Sequence, residues 1–131
     1  YDARPNTSFN GLFDFTSFST LPSYYAFYSW RKLRELGIRV FSSTAEAGNI
    51  YVTAAKGEDG RMAVLVTNFS NDRNCIAPRS VDVEFKNCDI HEIRSFVTDK
   101  YKLHTETPVD IKDGKASIVM APNSFILIET R

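Results

Sequence analysis

The hydrophobic pattern of this chain changes period at Gly37. From Phe27 to Leu36 apolar side chains recur every three positions, and after Gly37 apolar and polar side chains alternate in short runs. Spacing of three or four is typical of a helix, and alternation is typical of strands. The pattern therefore predicts a mainly β protein, in which an antiparallel β-sandwich is preceded by an irregular segment and one α-helix.

The predicted helix covers about residues 22–36. Pro22 suits the first helical position because the N–H that it lacks would be unpaired there. Gly37 suits the end of the helix because glycine accepts a positive φ after the last turn. Four apolar residues are expected to form a single stripe along the helix: Phe27, Trp30, Leu33 and Leu36. Residues 1–20 are expected to be irregular, since proline, Asn-Gly and a Ser/Thr-rich stretch interrupt any period.

After Gly37 the pattern predicts seven or eight short strands. Glycine-containing turns at 57–60 and 113–114 predict two hairpins. Residues 61–69 carry apolar side chains in both alternating sets, so this strand is expected to be buried on both faces. Short strands at roughly ten-residue spacing are typical of an antiparallel β-sandwich. The predicted strands are 38–43, 49–56, 61–69, 81–86, 89–98, 109–111, 115–120 and 124–129.

Aromatic residues are concentrated at the start of the chain. Ten of the 17 aromatic side chains (one Trp, six Tyr and ten Phe in all) lie within the first 30 positions. Each buried aromatic side chain removes roughly 150–250 Å² from water. Because a segment this short cannot bury so many rings against itself, we expect it to pack on something larger. The chain is therefore interpreted as the last piece of a bigger protein.

Charge and composition narrow the function classes. Sixteen basic residues balance sixteen acidic ones, which disfavours nucleic acid and anionic membranes as partners because both require a basic patch. No apolar run reaches the roughly 20 residues that span a bilayer. Two cysteines and two histidines do not form a credible zinc site, and we expect no metal and no organic cofactor. Cys75 and Cys88 are either free thiols or a short disulfide loop, and His91 and His104 are expected at the surface or hydrogen-bonded.

Three segments resemble the carboxyl-terminal end of a clan A glycoside hydrolase with a (β/α)8 barrel: Tyr1–Pro5, Asn10–Asp14 and Pro22–Phe27. In such enzymes the last barrel strand is followed by a short loop, a closing helix and an antiparallel sandwich. Ala121–Phe125 is similar to the turn before the last strand of that sandwich. The resemblance implies that residues 1–37 end a barrel and that residues 38–131 form the C-terminal sandwich.

The resemblance also implies a function. The parent enzyme would hydrolyse glycosidic bonds with retention, with both catalytic carboxylates upstream of Tyr1, so this chain would hold no catalytic residue and be inactive alone. It would be an accessory domain that stabilises the barrel, which would be its partner and its only link to carbohydrate. The substrate-binding candidates are Asp2, Arg4 and Phe13, and the barrel-packing candidates are Phe27, Trp30 and Leu33. A bare apolar surface would also favour self-association of the isolated chain.

Two alternatives come from other classes. A free-standing carbohydrate-binding module would bind a glycan through exposed aromatic side chains, for which Tyr101 is the candidate. An Ig-like structural domain would bind no sugar. Both leave the aromatic crowding before Trp30 unexplained, and most aromatic residues of the sandwich are expected to point inward: Phe41, Tyr51, Phe69, Phe85, Phe96 and Phe125.

Overall fold

One α-helix and nine β-strands are formed by the residues that the structure, a computed structural model, describes: 11–14, 16–44, 48–72, 74 and 77–130. The strands form two antiparallel sheets, and the mainly β sandwich with one helix is confirmed. Helix α1 spans Pro22–Leu36. The strands are β1 Ile38–Val40, β2 Ile50–Lys56, β3 Met62–Asn68, β4 Arg79–Glu84, β5 Ile93–Thr98, β6 Thr105–Glu106, β7 Ile111–Lys112, β8 Lys115–Met120 and β9 Ser124–Thr130.

The larger sheet has six strands in the order β1-β2-β3-β9-β5-β6, and the smaller one has three in the order β4-β8-β7. The predicted bounds of the helix are confirmed. The predicted strand at 38–43 ends earlier, at Val40, and the one at 89–98 begins later, at Ile93. Strand β6 was not predicted, because its two residues are polar and exposed and carry no periodic signal.

The core between the sheets uses every second residue of the central strands. In β9, Ile126 and Ile128 are fully buried, and in β3 Val64 and Val66 share that face. Phe85, Ile118 and Met120 reach them from the smaller sheet and its edge. This division is what the alternating pattern dictates, since successive side chains of a strand point to opposite faces.

The other face of the larger sheet is covered by α1. Ala63 and Leu65 of β3 and Leu127 of β9 lie beneath Leu33 of the helix in a second buried cluster. Strands β3 and β9 are therefore buried on both faces, as predicted for residues 61–69. This arrangement explains why their sequences are apolar almost without interruption.

Both predicted hairpins are confirmed. Strands β2 and β3 pair with Lys56 opposite Met62, and β7 and β8 pair with Lys112 opposite Lys115. Gly60 adopts a φ of +85° in the first turn. Glycine reaches positive φ without the steric penalty of a Cβ atom, and so permits the tight reversal that aligns the two strands.

Candidate functional site

The candidate functional surface is formed by helix α1 and the turn that precedes it. The inner face of the helix lies on the sandwich. Leu33 is 5% exposed and Ser29 is fully buried, with the Ser29 hydroxyl donating to the carbonyl of Tyr25 over 2.8 Å. Tyr28 and Leu36 pack against the same cluster. The inner face therefore follows a helical spacing of three and four residues.

The outer face of α1 carries two large aromatic side chains beside the exposed Arg31–Glu35 ion pair. Phe27 is 68% exposed and Trp30 is 55% exposed. The single stripe expected from Phe27 to Leu36 is wrong, because an exact spacing of three residues turns by about 60° at each step on a helix of 3.6 residues per turn. Over the three steps from Phe27 to Leu36 the turn is about 180°, so the two ends lie on opposite sides of the helix.

A tight turn precedes the helix. The amide of Asp14 donates to the carbonyl of Ser19 over 2.8 Å, and Phe13 forms a backbone bridge with Thr20. The Asp14 carboxylate accepts hydrogen bonds from the amides of Ser17 (2.7 Å) and Thr16 (3.0 Å). These bonds, the one from the Ser17 amide first, hold the pKa of Asp14 below its usual value.

The turn exposes two further aromatic side chains. Phe13 is 51% exposed, with its ring centroid 5.6 Å from that of Tyr24. Phe18 is more exposed still and has a φ of +56°. Asp2 and Arg4, the other two substrate-binding candidates, lie outside the described residues. The substrate-binding role of all three, and the barrel-packing role of Phe27 and Trp30, stay predictions. Leu33, the third barrel-packing candidate, packs on the sandwich itself.

His104 is the residue of this region that sequence reasoning missed. Its ring is nearly parallel to that of Phe96, with centroids 4.5 Å apart and planes at 5°, and to that of Tyr25, at 5.2 Å and 1°. Tyr28 meets it edge-on at 5.0 Å. His104 therefore joins the first turns of α1 to strand β5.

The backbone around His104 sets this position. Its amide donates to the hydroxyl of Thr98 over 3.1 Å, and its φ is +48°. In the preceding turn, the Asp99 carboxylate accepts from the amides of Tyr101 and Lys102, each over 2.7 Å. His104 directly precedes β6, which pairs with β5 through Phe96 opposite Glu106 and Val97 opposite Thr105. The ring contacts with Phe96, Tyr25 and Tyr28 place the imidazole between β5 and α1.

His104 differs from the expectation of a histidine that is either at the surface or hydrogen-bonded, because it is partly buried and one of its ring nitrogens lacks a partner among the described residues. Its Nδ1 atom is buried and has no hydrogen-bond partner within the described part of the chain. Burial lowers the pKa of His104, and the Glu129 carboxylate partly offsets this effect. His91, in contrast, lies at the surface as expected, 2.9 Å from the Asp89 carboxylate.

Aromatic side chains of the sandwich are less buried than expected. Phe85 and Phe96 are buried, but Phe41, Tyr51 and Phe69 are exposed, as is Tyr101. The inward expectation is therefore wrong for three residues. Tyr51 and Phe69 have the alternation of buried residues, but α1 crosses only part of this face and leaves its far end uncovered, which no local pattern reveals.

Other features of the described surface are modest. A cleft of about 520 Å³ lies where the end of α1 meets the β2–β3 turn, with Glu35, Glu58 and Arg61 in its lining. Among the residues described, no three His, Cys, Asp or Glu side chains gather as a metal site, and Cys88 is a free thiol. The one described helix is neither long nor apolar enough to cross a membrane.

No protein-family model and no curated protein sequence matches this chain. Solved structures of glycoside hydrolases are similar in fold. The family 30 subfamily 8 xylanase Xyn30A from Clostridium acetobutylicum gives a TM-score of 0.73 at 17% identity, over 92% of this chain and 30% of the xylanase. A family 30 endoxylanase from Clostridium papyrosolvens C71 gives a TM-score of 0.72 at 19% identity, over 91% of this chain and 30% of the endoxylanase. The expected relation to glycoside hydrolases is supported at the level of fold, and this chain spans less than a third of those proteins.

Proposed function

We propose that this chain is a non-catalytic accessory part of a glycoside hydrolase, which stabilises a (β/α)8 barrel through the outer face of α1. The observation that carries the proposal is a pair of large aromatic side chains on the side of α1 that faces away from the sandwich. The inner face of the helix is buried on the sandwich, while Phe27 and Trp30 are more than half exposed. Exposed apolar patches are typical of surfaces that pack on a partner, so a second partner layer accounts for these side chains.

The similarity in fold supports this assignment. The two clostridial xylanases are matched over more than nine-tenths of this chain, yet over only 30% of their own length. Within the proposal, residues 1–37 end the barrel and residues 38–131 form the sandwich. The parent enzyme hydrolyses glycosidic bonds with retention, for which two carboxylates about 5–5.5 Å apart are needed, and both belong to the barrel upstream of Tyr1.

The substrate-binding candidates fit the same arrangement. Active sites of (β/α)8 barrels lie at the carboxyl ends of the strands. Asp2 and Arg4 follow such a strand in the proposal, where they hydrogen-bond sugar hydroxyls. Phe13, half exposed on the turn before α1, offers a ring for a sugar to stack on.

The reading frame upstream of Tyr1 gives the first test. We expect alternating strands and helices over roughly 250 residues, as in other barrels of this type, with a glutamate at the ends of two strands. A frame without this alternation would contradict the proposal.

The second test uses the full-length enzyme. Replacing Phe27 and Trp30 together by serine should lower the thermal midpoint of hydrolytic activity, because both side chains lose their apolar partner in the barrel. Tyr101→Ser is the matched control, since Tyr101 is an exposed aromatic residue on a turn of the sandwich. Equal midpoints for the double variant and the control would rule out docking through this face.

A second candidate function, glycan binding by the sandwich itself, is favoured by one observation. Tyr51 and Phe69 are both exposed on the outer face of the larger sheet. The amide of Phe69 donates to the carbonyl of Asn49 over 2.8 Å, which makes Tyr51 and Phe69 diagonal cross-strand neighbours, within reach of each other for aromatic side chains. Two exposed rings on one face of a sheet offer a surface on which sugars can stack.

Affinity electrophoresis in gels containing soluble xylan tests this candidate. The 131-residue chain should be retarded, and Tyr51→Ala combined with Phe69→Ala should abolish the retardation. Val119→Ala is the control, because Val119 is an exposed apolar residue of the smaller sheet. Unretarded migration of the unmodified chain in xylan would exclude this function for that polysaccharide.

A further inference from the structure

The contact between α1 and the sheet is uneven along the helix. Leu33 and Leu36, in its second half, pack on aliphatic residues of the larger sheet. Tyr25 and Tyr28, in its first half, meet the imidazole of His104. Apolar side chains, together with the Lys32–Glu129 ion pair, thus attach the second half, and the first half is attached in part through an imidazole, whose charge changes near neutral pH.

The environment of His104 suits the neutral ring. A neutral imidazole with its proton on Nε2 leaves Nδ1 as a bare acceptor, whereas protonation turns Nδ1 into a charged donor. A buried charge without a hydrogen-bond partner is far more costly than a buried neutral acceptor. Nδ1 has no such partner among the described residues, so protonation in place is unfavourable.

The charged groups around the ring do not compensate for this cost. Lys32 of α1 and Arg94 of β5 are both cations, and each lowers the pKa of His104, while Glu129 of β9 raises it. Glu129 lies 3.7 Å from the Lys32 ammonium. Glu106 of β6 is bound by the Arg94 guanidinium over 2.8 and 3.0 Å. Each of the two carboxylates therefore already has a cation beside it.

The remaining titratable groups that face the ring are the two tyrosines. Tyr25 accepts a hydrogen bond at its phenol oxygen from the hydroxyl of Thr20 over 3.1 Å. Tyr28 lies beneath the Lys32 ammonium, which is 5.5 Å from its ring centroid. Histidine is the side chain whose ordinary pKa lies between pH 5 and 8, so a change of charge of this cluster in that interval is assigned to His104.

We propose that His104 is an acid-sensitive latch for the first half of α1. The neutral ring stacks on Tyr25 and Phe96 and holds the helix on the sheet. The protonated ring moves into water, and the first two turns of α1 separate from the sheet. Leu33 and Leu36 keep the second half attached.

The direction of this pH dependence follows from proton linkage. The docked state binds the proton of His104 more weakly than the undocked state, in which the ring has its ordinary pKa of about 6.5. Docking is therefore complete above pH 6.5 and weakens as the pH falls below it. The opening equilibrium constant rises by up to about tenfold per pH unit, until the pH reaches the pKa of the docked state.

Nuclear magnetic resonance of the 131-residue chain tests the latch. The Cε1 proton of His104, identified by comparison with a His91→Gln variant, should titrate below 6.5. Amide protection of residues 25–29, corrected for the intrinsic exchange rate, should fall over the same pH interval, while protection of residues 33–36 should change little. His104→Phe, which keeps a ring for stacking and cannot be protonated, should abolish this pH dependence.

Three results would overturn the proposal. A titration of His104 at or above 6.5 would mean that the aromatic faces hold the cation, as a cation–π contact can. Unchanged protection of residues 25–29 across the titration would mean that the ring is not a latch. If amide protection of residues 25–29 falls with pH in His104→Phe as it does in the unmodified chain, a group other than His104 causes the loss. The first two need only the unmodified ring of His104, so they decide the question even if His104→Phe does not fold.

Discussion

Leu127 shows how one residue serves both layers of this protein. It is fully buried in the central strand β9, in the cluster beneath α1, and its chain neighbours Ile126 and Ile128 are buried on the opposite face. A strand of this kind has no solvent-facing position along these three residues. Its uninterrupted apolar sequence is the local sign of a central strand.

We expect Leu127→Ala to lower the free energy of unfolding by about 2–5 kcal/mol, through lost burial and the cavity left behind. Val119→Ala should change it by less than about 0.5 kcal/mol, because Val119 is a largely exposed residue of β8. Urea unfolding followed by circular dichroism compares the two variants. Similar losses for both would contradict the assignment of the core.

Asp14 gives a prediction for acidic pH. Hydrogen bonds from the Ser17 and Thr16 amides lower its pKa in the folded chain. The stabilisation of this turn is therefore complete above the unfolded value of about 3.9 and is lost as the pH falls through the folded pKa. The carboxyl carbon resonance of Asp14 should titrate below 3.9, with faster exchange of the Ser17 amide over the same interval. A midpoint at or above 3.9 would contradict it.

At the scale of the element, the spacing of apolar residues in α1 predicts where the helix lies along the chain but not which of its sides faces the sheet. Its two ends follow from Pro22 and Gly37, which act through backbone chemistry alone. Its orientation does not, because both sides of the helix carry apolar residues and either side suits the sheet. Contact with Leu65 and Leu127 decides that Leu33 faces inward.

The orientation of α1 leads to a paired prediction. Leu33→Ala should lower the free energy of unfolding by about 2–5 kcal/mol. Phe27→Ala should change it by less than about 0.5 kcal/mol in the 131-residue chain, although the side chain is larger, because it is mostly exposed. Thermal and urea unfolding of both variants provide the comparison. A larger loss for Phe27→Ala would reverse the assigned faces.

For the molecule as a whole, the exposed aromatic surface predicts self-association. Phe18, Phe27 and Trp30 all lie mostly outside the core, and contiguous apolar surface of more than a few hundred Å² is uncommon on monomers. We expect concentration-dependent dimers of the isolated chain in sedimentation velocity. The double variant Phe27→Ser, Trp30→Ser should be more monomeric. A strictly monomeric unmodified chain at high concentration would contradict this expectation.

Local patterns were sufficient for the elements of this fold. The change of period at Gly37, the alternation in β3 and the glycine-containing turns predict the helix, most of the strands and both hairpins. These features depend on neighbours along the chain, whose spacing sets which side chains share a face. Strand β6 was not predicted, because its two exposed polar residues show no alternation of apolar and polar side chains.

Only the three-dimensional packing decided which apolar surfaces are buried. Phe27 and Leu33 are both apolar residues at helical spacing, yet Phe27 is exposed and Leu33 is buried. Tyr51 and Leu65 both fit the alternation of a strand, yet Tyr51 is exposed and Leu65 is buried. The stack at His104 joins residues about 80 positions apart in the chain, Tyr25 and His104. Burial and stacking depend on what lies across the contact, and that partner comes from distant segments whose meeting no local period describes.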